Sequence, residues 1–327
     1  MKSPRNNPWC FPAAACLAAS VIVAALSWET HRAPESGIRI ALMLAGLGVI
    51  VAVFVRQSLA LRATRSIADT VQHSMLQPPP SRVGGLRTEV RYVASAAEAT
   101  VGGDVYEVVD TPFGVRLLLG DVMGKGLPAV RTAMDALGAF RELAPHEKQL
   151  PAIAQRMDAC LTGRDGSEEF VTALLLAITD GEGHAELVCC GHPPPLLIRA
   201  GRCTFLDAIP PAPPLGLFHL LDQWCRSASV PLSDGDRLLL YTDGVTEARD
   251  ARGTFYPLAE RATLLYDADP AAFLDALTSD LLRHGMGQLK DDAALLLVDY
   301  GDIRSPQGQP RAENGHLLQG LSARPLR

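Results

Sequence analysis

Four short segments of the chain place an aspartate at the edge of an apolar run, three of them beside glycine. They are Gly102-Gly103-Asp104, Gly120-Asp121-Val122, Thr242-Asp243-Gly244 and Lys290-Asp291-Asp292. Carboxylates at strand ends can converge on a shared cation, because the strand sets their direction and glycine lets another segment approach closely. A single Asp-Gly pair is also typical of a hairpin turn, as in Asp234-Gly235-Asp236. Taken alone, each segment therefore favours a turn over a metal site.

The stretch from Leu86 to Tyr300 alternates apolar runs with turn signals. Runs typical of buried strands lie at 115–120, 170–178, 237–241 and 293–298, and turn signals lie at 111–114 and 181–183. Helical periodicity appears at 127–143, about 146–161 and about 270–284. Several strands come as hairpin-like pairs, so we predict an α+β fold of antiparallel sheets flanked by helices rather than a doubly wound parallel sheet.

Composition excludes several classes of function. A net charge of -6 and a pI near 5.8 provide no overall attraction to nucleic acid, so we expect no nucleic-acid partner. The seven cysteines form no C-x-x-C pair and no zinc-finger spacing, which argues against structural zinc and a disulfide scaffold. Adjacent Cys189 and Cys190 are interpreted as buried thiols on a strand rather than as a redox pair.

The order and flanking residues of the aspartate segments carry more information than the segments themselves. The motifs are GGDVYE (102–107), GDVMGKGLPA (120–129), FVTALL (170–175), GHPPPLL (191–197), PLG (214–216), GDRLLLYTDGVTEA (235–248) and KDDAALLLV (290–298). Together they resemble the SpoIIE/RsbU-like branch of the PPM family, the type 2C serine/threonine protein phosphatases. The resemblance covers about residues 74–300 and implies a central sandwich of two antiparallel β-sheets with α-helices outside.

The resemblance also implies an active site with two Mn²⁺ or Mg²⁺ ions. Asp121 resembles the bridging ligand, with the Val122 carbonyl as a further contact. Asp243 and Asp291 resemble ligands of the first metal, and Asp104 a ligand that acts directly or through water. In such a site two divalent ions activate a water that hydrolyses phosphoserine or phosphothreonine. The substrate that the resemblance implies is an anti-anti-sigma (STAS-domain) protein in a partner-switching pathway.

Several residues near these motifs keep two interpretations. Glu107 and Met123 depart from the family pattern, and either could alter the geometry or access of the site. Lys125 is interpreted equally as a substrate-phosphate contact or as part of a turn, whereas structure is favoured for His192 over proton donation. Asp292 is expected to support Asp291 or to coordinate weakly.

The first 57 residues predict a membrane anchor. Residues 9–28 contain no charge and residues 38–55 carry only Arg39, so each run is long and apolar enough for a transmembrane helix. Flanking basic residues place both ends in the cytoplasm, which predicts a multi-pass cell-membrane protein with a cytoplasmic catalytic domain. The alternative for the first run is a cleaved signal peptide.

The remaining boundaries follow from composition. Residues 58–80 are predicted as a helical stalk or linker, in which the helix 56–77 could form a homodimer. Residues 81–301 are predicted as the PPM-type phosphatase domain, and residues 302–327 as a disordered tail.

Two other functions compete with the phosphatase. Gly102-Gly103-Asp104 resembles part of the GGDEF signature of diguanylate cyclases, but that reading leaves the TDG, KDD and GHPPP motifs unexplained. The second alternative is a catalytically weak or silent phosphatase-fold scaffold in membrane signalling. Metal-dependent hydrolysis would distinguish an enzyme from the scaffold.

Overall fold

The computed structural model describes residues 43–59, 76–95, 102–162, 169–179, 181–220 and 225–301. Contacts between residues divide the chain into two units, and residues 76–98 together with 102–327 form the larger one. The predicted stalk falls mostly outside the described residues, as do the first predicted span, residues 9–28, and the predicted tail, residues 302–327.

The described part of the smaller unit is one helix, α1, over residues 43–59. Within the described ranges, no helix combines the length and apolarity needed to cross a membrane. The prediction of a multi-pass cell-membrane protein is wrong by this finding.

The larger unit contains twelve strands among its described residues. They are β1 (Arg82–Val83), β2 (Leu86–Val93), β3 (Asp104–Thr111), β4 (Gly114–Val122), β5 (Val171–Ile178), β6 (His184–Cys190), β7 (Leu196–Arg199), β8 (Arg202–Phe205), β9 (Pro211–Ala212), β10 (Ala228–Pro231), β11 (Arg237–Tyr241) and β12 (Ala293–Asp299). One sheet has the order β1-β2-β12-β11-β7-β8, and the other has β10-β6-β5-β4-β3 with β9 beside β6. Every pairing of strands is antiparallel except that of β6 with β9.

Two apolar cores follow from the two-residue period of the strands. On β11, Leu238 and Leu240 face the core between the sheets, whereas Leu239 and Tyr241 face a second core beneath the C-terminal helices. The whole of β11 is therefore buried on both faces, as its continuous apolar sequence predicts.

Five helices accompany the sheets in the described residues. They are α2 (Leu127–Leu143), α3 (Leu150–Leu161), α4 (Asp243–Thr246), α5 (Leu258–Leu264) and α6 (Pro270–His284). Helices α2 and α3 contact the β3–β6 sheet, and α5 and α6 contact the other sheet. The predicted fold of two antiparallel sheets between helices is confirmed.

The predicted elements agree closely with the observed ones. Helix α2 has the predicted bounds, and the predicted turn at 111–114 joins β3 to β4 with Gly114 at φ 95°. Helix α3 begins at Leu150 rather than near residue 146 because a turn intervenes, in which Glu147 N–H donates to the Leu143 carbonyl, and Pro151 suits the first turn of the new helix.

Strand register brings the four aspartate segments to one end of the sandwich, which we call the aspartate end. Asp104 begins β3 and lies opposite Asp121 near the end of β4, and Asp121 in turn lies opposite Thr172 of β5. In the other sheet, Tyr241 ends β11 and pairs with Leu295 near the start of β12. The segments carrying residues 104, 121, 243 and 291 therefore meet at this end.

Candidate active site

Asp104 and Asp121 form the centre of the aspartate end. They share the face of their strands that carries Tyr106, Leu117 and Leu119, which is the face between the two sheets. Asp104 is 4% exposed, whereas Asp121, directly opposite it in the strand pairing, is partly buried. The antiparallel register of β3 and β4 thus brings two acidic groups close together.

Glycine makes this approach possible. A Cβ on Gly103 would lie 2.5 Å from the Val122 carbonyl oxygen and 2.9 Å from Asp121 Oδ1. A Cβ on Gly102 would lie 1.3 Å from Asp292 Oδ2. Side chains at either position would collide with the acidic residues or their backbone, so the two glycines of the GGD motif serve close packing of chain segments.

Burial and mutual repulsion raise the pKa values of this pair. The pKa of Asp104 lies well above its ordinary value, first because the group is buried and then because Asp121 and Asp292 are close. The pKa of Asp121 is raised to about 7, again first by burial and then by Asp243, Asp291 and Asp292. Within the described residues neither carboxyl group pairs with a basic side chain.

Asp243 approaches the pair from the other sheet. It begins the one-turn helix α4, and Thr242 alone separates it from the end of β11. Burial raises its pKa, with further contributions from Glu247 and Asp291, and a hydrogen bond from the Gly244 N–H opposes them. Its charge also contributes to the raised pKa of Asp121, so the two groups are electrostatic neighbours.

Asp291 and Asp292 have different environments although they are adjacent. The Asp291 side chain is 54% exposed, and its Oδ1 lies 3.2 Å from Lys125 Nζ. The Asp292 residue is 7% exposed, and its Oδ1 accepts a hydrogen bond from the Ser95 N–H at 2.7 Å. Asp292 therefore holds the segment that follows β2 through its hydrogen bond with Ser95, whereas Asp291 lies at the exposed edge of the site.

Lys125 and His192 now have defined contacts. Lys125 pairs with Asp291, which places an ammonium group at the edge of the acidic cluster. The His192 Nε2 lies 3.0 Å from the Tyr241 carbonyl, which can only accept, so Nε2 carries the proton and Nδ1 accepts from the Thr172 hydroxyl at 3.1 Å. Burial lowers the pKa of His192 to about 4. Both ring nitrogens are engaged, so the structural interpretation of His192 is supported over proton donation.

Glu107 and Met123 occupy different places. Glu107 lies on the outer face of β3, where Arg141 of α2 pairs with it at 2.5 Å. It points away from Asp104 because the two residues are three positions apart, and side chains alternate between the two faces along a strand. Met123 follows Val122, donates its N–H to the Phe170 carbonyl and is 41% exposed. Of these two departures from the family pattern, Met123 is the one beside the candidate ligands.

The donor set suits hard divalent cations. It consists of carboxylates and the Val122 carbonyl, the oxygen donors that Mg²⁺ and Mn²⁺ prefer, and its buried acids repel one another without positive charge. In the described ranges, however, no three His, Cys, Asp or Glu side chains lie close enough to form a complete ligand group. The residues therefore fit a divalent site in the chemistry of their oxygen donors, and one of the candidate carboxylates, Asp291, pairs with Lys125.

Sequence reasoning missed Thr242 as a part of this site. Its side chain is fully buried, and its hydroxyl lies 3.0 Å from Asp104 Oδ2. The TDG motif directs attention to its aspartate, and a threonine before a turn carries no separate signal in one sequence. The contact exists only because the start of β3 lies beside the end of β11, a strand of the other sheet.

The fold and the site together define the class of PP2C-like phosphatase domains. Residues 111–301 match the family described as stage II sporulation protein E (SpoIIE). The chain belongs to this SpoIIE family, as the motif resemblance predicted.

Characterised relatives come from Bacillus subtilis (strain 168). The chain is 28% identical over 213 residues to phosphoserine phosphatase RsbP, covering 62% of this chain and 50% of RsbP. It is 26% identical over 212 residues to phosphoserine phosphatase RsbU, covering 61% of this chain and 59% of RsbU. The chain thus spans between half and three fifths of the length of these relatives.

Solved structures show the same fold. The RsbU and RsbW domains of Rv1364c from Mycobacterium tuberculosis match with a TM-score of 0.55 and 26% identity, over 66% of this chain and 62% of that one. The SiaA-PP2C domain of Pseudomonas aeruginosa matches with a TM-score of 0.58 and 16% identity, over 76% and 98% of the two chains.

Proposed function

We propose that this chain is a metal-dependent phosphatase that hydrolyses phosphoserine or phosphothreonine on a protein substrate. The observation that carries the proposal is the register of buried Asp104 opposite partly buried Asp121, two acids whose charge no basic side chain offsets within the described residues. Membership of the SpoIIE family and the names of RsbP and RsbU as phosphoserine phosphatases support the same activity.

Two Mn²⁺ or Mg²⁺ ions would be held by oxygen atoms of five residues. These are Asp104, Asp121, Val122 through its carbonyl, Asp243 and Asp291. Bound divalent ions supply a nucleophilic hydroxide at neutral pH and neutralise the charge that develops on the phosphoryl group. The protein orients the acids by strand register and by the contacts of Gly102 and Gly103, and Asp291 would exchange its ion pair with Lys125 for a cation.

The proposed substrate is a phosphorylated STAS-domain anti-anti-sigma protein in a partner-switching pathway. Support comes from the family and from the Rv1364c structure, in which an RsbU domain and an RsbW domain belong to the same protein. Because RsbP and RsbU extend well beyond the matched region, the substrate rests on the matched catalytic domain alone.

The activity is tested with p-nitrophenyl phosphate and Mn²⁺ on the full chain. We expect hydrolysis that a chelator abolishes and that Asp121→Asn lowers by roughly a thousandfold, since the loss of several kcal/mol of metal-centred stabilisation corresponds to about that factor. Asp234→Asn is the matched control, because Asp234 stands beside glycine in an exposed turn outside the aspartate end, and we expect it to leave the rate unchanged.

Three results would change the proposal. A folded chain with no hydrolysis under several divalent metals would favour the silent scaffold. Equal rates for Asp121→Asn and the natural chain would remove the proposed site. Hydrolysis of p-nitrophenyl phosphate without release of phosphate from phosphorylated STAS-domain proteins would overturn the substrate alone.

A further inference from the structure

Thr242 joins the two sheets at the aspartate end. Its Oγ1 lies 3.0 Å from Asp104 Oδ2 and 2.9 Å from the Ala294 nitrogen. Asp104 begins β3 of one sheet, whereas Ala294 belongs to β12 of the other. The side chain therefore connects a candidate metal ligand on one sheet to the backbone of the opposite sheet.

The direction of the hydroxyl proton follows from its partners. The backbone N–H of Ala294 can only donate, so it occupies a lone pair of Thr242 Oγ1. The single hydroxyl proton is then available for Asp104 Oδ2, an oxygen that accepts. A hydrogen bond from the Thr242 N–H to the Ala294 carbonyl at 3.1 Å holds the residue from a second side. Thr242 is thus a donor of fixed direction aimed at one carboxylate oxygen.

We propose that Thr242 is a positioning residue that fixes the rotation of the Asp104 carboxylate for divalent-cation binding. This inference rests on the proposed function. Rotation of Asp104 about its side-chain bonds would break a hydrogen bond in a place that water does not reach, because Thr242 is fully buried and Asp104 is 4% exposed. A carboxylate held in one orientation loses less freedom when it binds a cation, so removal of the hydroxyl weakens cation binding rather than the chemical step alone.

A purely structural role makes a different prediction. A buried hydroxyl that only stabilises the fold would lower the stability when removed and leave the cation affinity of the folded protein unchanged. Thr88 provides a matched control, because it is 1% exposed and its hydroxyl donates to the Pro80 carbonyl at 2.7 Å. It pairs with Val298, toward the other end of β12, far along the strand from Ala294.

The experiment compares Thr242→Val, Thr242→Ser and Thr88→Val in the full chain. Valine keeps the shape and removes the hydroxyl, whereas serine keeps the hydroxyl. The dissociation constant of Mn²⁺ is measured by calorimetry, the metal-free stability by denaturation, and the p-nitrophenyl phosphate rate over a range of Mn²⁺ concentrations.

We expect Thr242→Val to raise the Mn²⁺ dissociation constant by about ten- to a hundredfold, the range for loss of a partner that orients a ligand. Serine should restore the constant to within about threefold of the natural chain. At saturating Mn²⁺ the valine variant should recover most of its rate, so the effect falls on metal affinity more than on turnover. Thr88→Val should lose stability without any change in Mn²⁺ affinity.

Each contrary outcome has a distinct meaning. Unchanged Mn²⁺ affinity in folded Thr242→Val, or equal weakening by serine and valine, overturns the positioning role. If valine does not fold, Thr242→Ala makes the same comparison with serine, and failure of both to fold shows a role in stability instead and overturns the inference. A natural chain that binds no Mn²⁺ overturns the proposed function itself, whereas one that binds Mn²⁺ without hydrolysis removes only the activity and leaves the affinity comparison intact.

Discussion

The two ends of the sandwich differ in whether their acidic side chains have basic partners. The end away from the aspartates, which we call the arginine end, carries Arg199, Arg237, Asp236 and Asp299. There Arg199 forms a fork with Asp236 at 2.9 and 2.6 Å, and Arg237 Nε lies 3.1 Å from Asp299 Oδ2. Each buried acid has an arginine, and the guanidinium of Arg237 also donates to the Asp267 carbonyl.

The aspartate end contains one buried acid and one partly buried acid without such partners in the described part of the chain. Within the described residues Asp104 and Asp121 have no basic partner, and the ion pair formed by Asp291 joins the half-exposed edge of the site. Both ends lie on the same strands, because β11 runs from Arg237 to Tyr241 and β12 from Ala293 to Asp299. At the arginine end the acids are neutralised by arginines, and these pairs contribute to stability. At the aspartate end negative charge remains for a cation to neutralise, and such an excess of charge is typical of a functional site.

The comparison predicts that the arginine end affects folding alone. Arg237→Met leaves Asp299 buried and unpaired, so we expect the free energy of unfolding to fall by about 3–5 kcal/mol. Chemical denaturation measures this loss, and calorimetry should show an unchanged Mn²⁺ affinity in the folded variant. Arg283→Met is the control, because the Arg283 side chain is 72% exposed in its pair with Asp280, and its loss should stay below about 1 kcal/mol. A parallel fall in Mn²⁺ affinity would mean that the two ends are coupled.

The aspartate end predicts a pH dependence of stability in the presence of a chelator. The folded-state pKa of Asp121 is about 7, above its ordinary value, so the contribution of this group is fully present below that ordinary value and is lost as pH rises through 7. Asp104, whose pKa is raised in the same direction, adds to the effect. Because of these two groups, the free energy of unfolding of the metal-free protein should decrease as the pH rises from about 4 to 7.

Denaturation at a series of pH values measures this slope. Asp121→Asn should flatten it, because asparagine cannot gain or lose the proton. Saturating Mn²⁺ should also oppose the decrease, since the cation stabilises the ionised acids. A slope that is identical in the natural chain and in Asp121→Asn would contradict the assignment of the raised pKa to this residue.

The smallest expected effect concerns Lys125, the basic residue at the edge of the acidic cluster. Its ion pair with Asp291 competes with a cation for the same oxygen, so Lys125→Met should tighten Mn²⁺ binding by about two- to fivefold, the worth of a half-exposed pair. Lys290→Met is the control, because Lys290 is exposed and adjacent to Asp291 in the chain. Calorimetry measures both. Weaker Mn²⁺ binding in Lys125→Met would show that the lysine supports the ligand set instead of competing with the cation.

Local structure was predictable because it depends on residues close together in the chain. Continuous apolar runs bounded by turn signals placed β5, β11 and β12, and apolar residues recurring every three to four positions placed α2 and α6. Proline near the start of α2, α3 and α6 agrees with their observed first turns. The membrane prediction came from the same kind of evidence and was wrong, since no helix in the described ranges is long and apolar enough to cross a membrane.

The sequence predicted which residues are candidate ligands, but not the contacts that these residues make. Motif order and resemblance identified Asp104, Asp121, Asp243 and Asp291 as a set, and register brings the first two directly together. The partners of these residues could not be predicted, because they depend on which strand ends lie side by side. The ion pair of Lys125, the hydrogen bond from Ser95 to Asp292 and the contact of Thr242 with Asp104 all join segments distant in sequence.

The sequence by itself determined the four aspartate segments, the elements that carry them and the family to which the chain belongs. Those properties depend on the order of residues and on periods of a few residues along the chain. Only the tertiary structure decided that, among the described residues, buried Asp104 and partly buried Asp121 lack a basic partner, that Glu107 pairs with Arg141 and that Thr242 contacts Asp104. Burial and pairing between sheets arise from packing, and packing sets the local charge balance that distinguishes a candidate metal site from four ordinary turns.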